Sequence, residues 1–177
     1  MSNGFDLEPV LFEQREAFEI WHDRFVREYN RSEQDRQGCE LTLGTPKEHW
    51  RLSFEHNVAP SWIQYRGRNI GFAAPQHISV GWDENTAEPM KILSDVYVDP
   101  KFRSRGILSA VIRAFRDQGI DTILIDGRKI KDNAIYYYNL GFRFGCHWLD
   151  QGLILLSPTQ HHDFFNRVWT DNLEAVE

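Results

Sequence analysis

The segment 96–108 constrains the fold of this chain more than any other. A β-type apolar run at 96–98 stops before a proline, crosses a basic turn and opens an amphipathic helix at Gly106. The first N–H groups of such a helix and the positive end of its dipole converge on one spot. That spot suits a phosphate or diphosphate, and the guanidinium groups of Arg103 and Arg105 match phosphate geometry. The sequence therefore predicts an anion-binding strand, turn and helix.

The distribution of charge agrees with this prediction. The chain has 20 Lys and Arg against 26 Asp and Glu, a net charge of −6. Between Lys101 and Lys131, however, eight basic residues stand against three acidic ones. An anion-binding surface explains this local excess, and a solvated helix face is the alternative. The negative total disfavours general binding to nucleic acid or to an anionic membrane.

Length and composition indicate one packed domain. A chain of 177 residues with 41% hydrophobic and 14% aromatic content is large enough to bury a core. We divide the expected domain, residues 1–177, into N-terminal helices (1–60), a sheet core (61–157) and a C-terminal helical extension (158–177).

Cysteine usage and the N-terminus favour a cytoplasmic protein. Cys39 and Cys146 have neither metal-ligand nor disulfide-framework spacing, which fits free thiols in a reducing compartment. No apolar stretch reaches the roughly 18 residues of a membrane span, and residues 1–4 lack the regions of a signal peptide. The histidines show no metal-ligand spacing, so no metal site is expected.

Hydrophobic periodicity and turn residues give the expected order of elements. The expected helices are residues 9–30, 45–58, 106–118, 132–139 and 159–173. Gly119 is expected to be the C-terminal stop of the third of these helices. The expected strands are residues 62–65, 70–73, 92–98, 122–125, 142–149 and 152–157, and a turn at 66–69 is expected to join the first two. The buried stripe of the first helix is expected to contain Leu11, Phe18, Trp21 and Phe25. The strand, helix and strand within 92–125 form a βαβ unit, so its two strands should run parallel.

This order of elements and two motifs resemble the GNAT superfamily of N-acyltransferases over residues 61–157. The family motif R/Q-x-x-G-x-G/A, which binds the diphosphate of acetyl-coenzyme A (acetyl-CoA), is similar to Arg103-Ser104-Arg105-Gly106-Ile107-Leu108, with Leu108 where the family most often has Gly or Ala. A second family segment, aromatic-Tyr-x-x-Leu-Gly-Phe, is matched at residues 136–142. The resemblance implies an α/β (α+β) fold. Its mixed, mostly antiparallel sheet has a central βαβ unit with splayed parallel strands, flanking helices and a C-terminal helix.

The resemblance also implies a cofactor site. The N–H groups of residues 104–108 would hold the diphosphate, and Gly106 would let the backbone approach it without a Cβ. In GNAT proteins a bulge splays the strand before the turn. Main-chain groups at Val96 and Val98 would then pair with the pantetheine arm and polarise the thioester carbonyl. Ordinary core packing is the alternative for both valines. Asn133 resembles a family asparagine near the cofactor arm.

For the chemistry, Tyr137 aligns with the family's general acid, which protonates the departing thiolate, and Tyr138 is the next candidate. The family often places a glutamate base on the strand before the turn, where this chain offers only Asp95. Asp95 is either a base acting through water or a solvated or capping carboxylate. Strand alternation puts it on the face opposite Val96 and Val98. His77 and Glu88 are weaker candidates for the base.

The resemblance implies an acetyl-CoA-dependent N-acetyltransferase without a metal. A primary amine of a small molecule or peptide would attack the thioester directly in a ternary complex. One alternative is a GNAT-like binding or structural protein without turnover, of a kind found among phage proteins. Another is a nucleotide-binding module, which leaves the segment 136–142 unexplained. The aromatic termini are candidates for contact with a second copy or another protein.

Overall fold

The computed structural model describes residues 4–34, 59–80, 88–126, 130–148 and 153–158. The strands are β1 (Phe5–Pro9), β2 (Ser61–Tyr65), β3 (Arg68–Val80), β4 (Glu88–Val98), β5 (Thr122–Asp126), β6 (Phe144–Trp148) and β7 (Leu153–Ser157). The described helices are α1 (Arg15–Gln34), α2 (Ile107–Arg116) and α3 (Ile130–Asn139), with 3₁₀ turns at Phe12–Gln14 and Pro100–Phe102. The helices expected at 45–58 and 159–173 lie outside the described residues.

Strand pairing confirms the expected mixed, mostly antiparallel sheet. Its seven strands follow the order β1-β2-β3-β4-β5-β7-β6. The pairs β1–β2, β2–β3, β5–β7 and β6–β7 are antiparallel. β4 and β5 are parallel, with Ile92 opposite Thr122 and Leu93 opposite Ile123. Since α2 connects these two strands in the chain, the predicted βαβ unit is confirmed.

Contacts divide the chain into two compact units, and the first comprises Met1–Gln76 and Asp95–Ala114. Its aromatic core consists of Val10, Phe18, Trp62, Phe72, Ala74 and Tyr97, with Trp21 and Phe25 packed against them. The Phe18 and Phe72 rings meet edge to face, with centroids 5.1 Å apart and planes at 72°. Burying one such phenylalanine contributes about 1.5–3 kcal/mol, so this contact holds α1 in place.

Helix α1 begins at Arg15, so its predicted start at residue 9 is wrong. Residues Phe5–Pro9 instead form β1, which pairs antiparallel with β2. The Val10 amide then donates to the Pro60 carbonyl at 2.8 Å, which continues the strand contact beyond Pro9. The backbone groups of this segment are therefore used by the sheet and are not available to a helix.

The 3₁₀ turn before α1 is closed by Gln14. Its Oε1 atom accepts hydrogen bonds from the Leu11 amide at 3.2 Å and from the Trp62 indole at 2.9 Å. Leu11 lies outside the helix and is 58% exposed, so its expected place on the buried stripe is wrong. Phe18 is fully buried, which confirms the centre of that stripe.

Strands β2 and β3 form a tight hairpin. Arg66 and Gly67 connect them with φ angles of +51° and +71°. Two consecutive left-handed residues are typical of the turn that matches the twist of paired strands. The turn expected at 66–69 is thus two residues long, and β3 continues to Val80.

The second unit comprises His77–Ser94 and Phe115–Glu177. Its strands β5, β7 and β6 are antiparallel neighbours, and Phe115, Ile120 and Phe142 are buried. Gly119 ends the turn after α2 with φ +80°, and its amide donates to the Arg116 carbonyl at 2.8 Å. This confirms the glycine stop predicted from the sequence.

Candidate active site

The exit of the chain from β4 is fixed by Asp99. Its carboxylate accepts from the Lys101 amide at 2.9 Å, and its own amide donates to the Ile70 carbonyl of β3 at 2.8 Å. The Phe102 amide donates to the Asp99 carbonyl, also at 2.8 Å. Because side chain, amide and carbonyl are all bonded, Asp99 determines where the predicted anion-binding turn starts.

Two left-handed residues then direct the chain into α2. Ser104 has φ +61° and Gly106 has φ +74°. The Gly106 carbonyl accepts from the Ala110 amide at 3.1 Å, so the hydrogen bonds of the helix start there. Left-handed residues beside a helix start form a concave set of N–H donors that binds anions. A Cβ on Gly106 would meet no atom of the described residues within 4 Å, so the space beside this backbone is open.

Burial changes abruptly along the turn. Ile107 is 3% exposed and anchors the start of α2 in the interior, while Leu108 is half-buried. The residues that precede them are exposed, namely Arg103, Ser104, Arg105 and Gly106. In the predicted motif, residues 103–106 are thus exposed, and the buried side chain of Ile107 holds the segment against the interior.

The Arg103 guanidinium is bound by protein groups. Its Nε donates to the Val98 carbonyl at 2.8 Å, and its Nη2 lies 2.5 Å from the Glu28 carboxylate. The guanidinium carbon lies 5.6 Å from the centroid of the Tyr97 ring. The Tyr97 hydroxyl donates to the other Glu28 oxygen at 3.1 Å. Sequence reasoning missed Glu28, because it lies on α1, 69 residues before Tyr97, and no motif connects the two.

These contacts also determine the protonation of Tyr97. Burial raises the pKa of the Tyr97 hydroxyl above its ordinary value, and the hydrogen bond and charge of Glu28 raise it further. The charge of Arg103 acts in the opposite direction, and Asp99 adds a small increase. The hydroxyl therefore remains a hydrogen-bond donor to Glu28 at neutral pH.

Arg105 has weaker contacts with the protein than Arg103. Its guanidinium carbon lies 5.6 Å from the centroid of the Phe102 ring, and its Nη2 is 3.4 Å from the Lys101 carbonyl. A contact of that length is a weak hydrogen bond. Of the two arginines in the motif, Arg103 thus makes an ion pair, whereas Arg105 makes a weak hydrogen bond to the turn.

Burial along the end of β4 follows the predicted alternation. Val96 and Val98 are half-buried, whereas Asp95 and Tyr97 are 3% and 7% exposed. The interpretation of Asp95 as a solvated carboxylate is wrong, because alternation places it in the interior. Its role as a base acting through water stays a prediction. His77 is half-buried, and the side chain of Glu88 lies outside the description.

Strands β3 and β4 approach each other closely at Gly71. A Cβ at this position would lie 2.0 Å from the Tyr97 carbonyl oxygen, so only glycine fits. The register shift that the structure describes lies between β2 and β3, at Ile63 and Gln64. The bulge expected in β4 stays a prediction.

In the second unit, α3 carries three adjacent tyrosines. Tyr137 is half-buried, whereas Tyr136 and Tyr138 are 37% and 60% exposed. The Tyr137 ring meets the Phe142 ring edge to face, with centroids 6.2 Å apart, and the Phe142 amide donates to the Tyr137 carbonyl at 3.1 Å. Of the three, Tyr137 is the most buried. Asn133 lies on the same helix, but its side chain is not described.

The C-terminal end of α3 is capped by Arg116. Its guanidinium donates to the Leu140 carbonyl and lies over the Phe142 ring, 4.3 Å from the centroid. Burial lowers the pKa of Arg116, Asp121 opposes this effect, and Arg143 adds to it. A cation is favourable at this end of a helix. Arg116 therefore fixes the segment against which the Tyr137 ring packs.

Two kinds of feature are absent from the described residues. None of the helices in the described ranges combines the length and apolarity that crossing a membrane requires. In the same part of the chain, no three His, Cys, Asp or Glu side chains gather in a way that could hold a metal ion.

A family model described as the acetyltransferase (GNAT) family matches residues 14–142. The chain therefore belongs to the GNAT family of acetyltransferases. A comparison with curated protein sequences finds no match.

Solved structures of GNAT proteins share the fold at low sequence identity. A GNAT acetyltransferase from Listeria monocytogenes has a TM-score of 0.57 and 14% identity, covering 86% of this chain and 92% of its own. An acetyltransferase from Thermus thermophilus has a TM-score of 0.55 and 15% identity, covering 86% and 94%. A GNAT N-acetyltransferase from Escherichia coli, in complex with CoA, has a TM-score of 0.52 and 13% identity, covering 89% and 83%.

Proposed function

We propose that this protein is an acetyl-CoA-dependent N-acetyltransferase that transfers the acetyl group to a primary amine. The observation that carries the proposal is the left-handed backbone at Ser104 and Gly106, which opens α2 beneath free space. That geometry fits the diphosphate of CoA. The CoA complex of the Escherichia coli GNAT protein supports CoA as the ligand.

In the proposed complex, main-chain groups bind the acyl donor. The N–H groups of residues 104–108 hold the diphosphate, and Arg105 adds positive charge at the surface of the turn. Val96 and Val98 contribute main-chain groups along the pantetheine arm, and Asn133 is a further contact. An N–H near Val98 stabilises the oxyanion that forms on the thioester carbonyl.

The proposed reaction needs one nucleophile and two proton transfers. The neutral amine attacks the thioester carbon, so a C–N bond forms and the C–S bond breaks. Tyr137 donates its proton to the departing thiolate. Asp95 takes the proton of the amine through water. Neither cysteine acts as a nucleophile, since no acyl-enzyme is formed.

We propose a small-molecule or peptide amine as acceptor and the cytoplasm as the compartment. The acceptor class follows from the family chemistry, and the compartment follows from the spacing of Cys39 and Cys146, which predicts free thiols. The burial of Asp95 favours one second candidate, a GNAT-like protein that binds acetyl-CoA and turns it over slowly or not at all. Thiol release from acetyl-CoA in the presence of a panel of amines separates this binder from an enzyme.

Titration of CoA into Gly106→Ala and Gly67→Ala tests the anion-binding turn. Both glycines have φ near +70° and open space where a Cβ would stand, so alanine causes similar strain, about 1 kcal/mol, in each. Only the Cβ at Gly106 would enter the space of the diphosphate. We expect calorimetry to show a Kd for CoA about tenfold higher in Gly106→Ala and unchanged in Gly67→Ala. Absence of CoA binding to the wild type, or equal affinity in all three proteins, would contradict the proposal.

A further inference from the structure

Three side chains join α1 to the anion-binding turn within the first unit. The Glu28 carboxylate uses one oxygen for Arg103 and the other for the Tyr97 hydroxyl. Arg103 in turn donates to the carbonyl of Val98, which is the last residue of β4. The helix, the strand end and the first residue of the turn are thereby connected through one carboxylate.

The arrangement leaves Arg103 poorly placed to bind phosphate. Its Nε and Nη2 already donate to protein oxygens, and its cationic plane lies over the Tyr97 ring. A guanidinium paired with a carboxylate makes charge-assisted hydrogen bonds, which are stronger than neutral ones. The Arg103 and Glu28 side chains are 44% and 38% exposed, so the pair adds little to global stability. The effect of the pair is on the position of the Arg103 side chain.

Tyr97 fixes the position of the Glu28 carboxylate. The residue is 7% exposed, and its ring packs against Trp21 and Phe25 of α1, with centroids 6.0 Å and 6.1 Å apart. The hydroxyl is therefore held at a fixed place, and Glu28 is held with it. Since the other Glu28 oxygen lies against Arg103, the position of the turn depends on the packing of α1.

We propose that Glu28 is a positioning residue for the acyl-CoA turn. It keeps the Arg103 side chain on the Val98 carbonyl, so that the backbone of the turn, and not this guanidinium, binds the diphosphate. The proposal rests on the proposed function in one respect, namely that CoA is the ligand.

A positioning role for Glu28 and a direct phosphate contact by Arg103 predict opposite changes in CoA affinity when Glu28 is removed. If Glu28 positions the turn, its loss lets Arg103 leave Val98, the N–H donors lose their alignment, and CoA binds more weakly. If Arg103 instead contacts the diphosphate, Glu28 competes for it. Removal of that carboxylate would then release a cation, remove a nearby negative charge and strengthen CoA binding.

Calorimetric titration of CoA measures whether Kd rises or falls. It is carried out on four proteins: wild type, Glu28→Gln, Arg103→Gln and the double variant. We expect Kd to rise about fivefold in Glu28→Gln, which corresponds to a coupling of about 1 kcal/mol. We expect Glu28→Gln to have no further effect in the Arg103→Gln background, because the carboxylate acts through that side chain. Each titration is done well below the Tm of the variant, so that loss of stability does not lower the affinity.

Glu19→Gln is the matched control, since Glu19 lies exposed on the same helix and the charge change is identical. We expect it to leave Kd within about twofold of wild type, as screened surface charges do. Tighter or unchanged binding in Glu28→Gln, with CoA bound by the wild type, would overturn the proposal and leave the proposed function intact. A wild type that does not bind CoA would overturn both.

Discussion

Tyr97 belongs to the core and to the site at the same time. Its ring packs with Phe72, at a centroid distance of 6.1 Å, and with the aromatic residues of α1. Its hydroxyl donates to Glu28 beside the proposed anion-binding turn. The ring of this strand residue thus packs in the core, and its hydroxyl makes a hydrogen bond to a charged group. Both contributions can be separated by removing only the hydroxyl.

Tyr97→Phe should lower the free energy of unfolding by about 1 kcal/mol at pH 8, because the hydrogen bond to Glu28 is lost while the ring remains. The pKa of Tyr97 is raised in the folded protein. Its contribution is therefore complete below the ordinary tyrosine pKa, about 10, and is lost as pH rises through the higher folded-state pKa. Urea unfolding of both proteins at pH 8 and above pH 10 should show the difference shrinking.

Tyr138→Phe is the control for this comparison. Tyr138 is 60% exposed, so removing its hydroxyl should change the free energy of unfolding at pH 8 by less than about 0.5 kcal/mol. A Tyr97→Phe protein as stable as the wild type at pH 8 would show that the bond to Glu28 contributes nothing.

At the scale of elements, β3 and β4 meet most closely where Gly71 faces the Tyr97 carbonyl. The strand end that leads into the turn is therefore held by backbone contact, including the bond from the Asp99 amide to the Ile70 carbonyl. A side chain at position 71 has no space, and the atom it would meet cannot rotate aside as a flexible side chain can.

Gly71→Ala should destabilise the fold by about 3 kcal/mol or more, because the new Cβ overlaps backbone. Thermal unfolding followed by circular dichroism measures the loss. Gly67→Ala is matched in chemistry but meets no atom within 4 Å, so its Tm should fall much less. Equal Tm values for the two variants would mean that β4 moves away from β3 without cost.

Elements with local signals could be predicted from the sequence. The hairpin turn at Gly67, the stop at Gly119 and the helix after Gly106 each follow from a glycine that takes a positive φ. β1 could not be predicted, because its pairing with β2 joins residues more than fifty positions apart. Leu11 has the spacing of the α1 stripe, and this extended the predicted helix back to residue 9, the last residue of β1.

The candidate site likewise has one part that could be predicted from the sequence and one part that could not. Its backbone part, the turn 103–108, could be predicted because a motif of contiguous residues specifies it. The partners of Arg103 and the burial of Asp95 depend on how α1 and β4 pack, which no contiguous motif records. The side-chain arrangement around Glu28 therefore required the structure.

At the scale of the whole molecule, charge is divided unevenly, with a net −6 overall and a basic excess between Lys101 and Lys131. Binding of the polyanion CoA should therefore weaken with salt. Raising NaCl from about 50 mM to about 500 mM should increase Kd about tenfold, since the shorter Debye length screens attraction between opposite charges. Arg105→Gln should reduce that dependence. A Kd that is independent of salt would mean that uncharged contacts dominate binding.

The three bonds of Asp99 also have a thermodynamic consequence. A loop that is fastened to β3 by one of these bonds and to its own 3₁₀ turn by the other two has few conformations to lose when the proposed anion binds. Preorganisation of this kind lowers the entropic cost of association. The heat of complex formation should then reflect new hydrogen bonds, with little contribution from ordering of the loop.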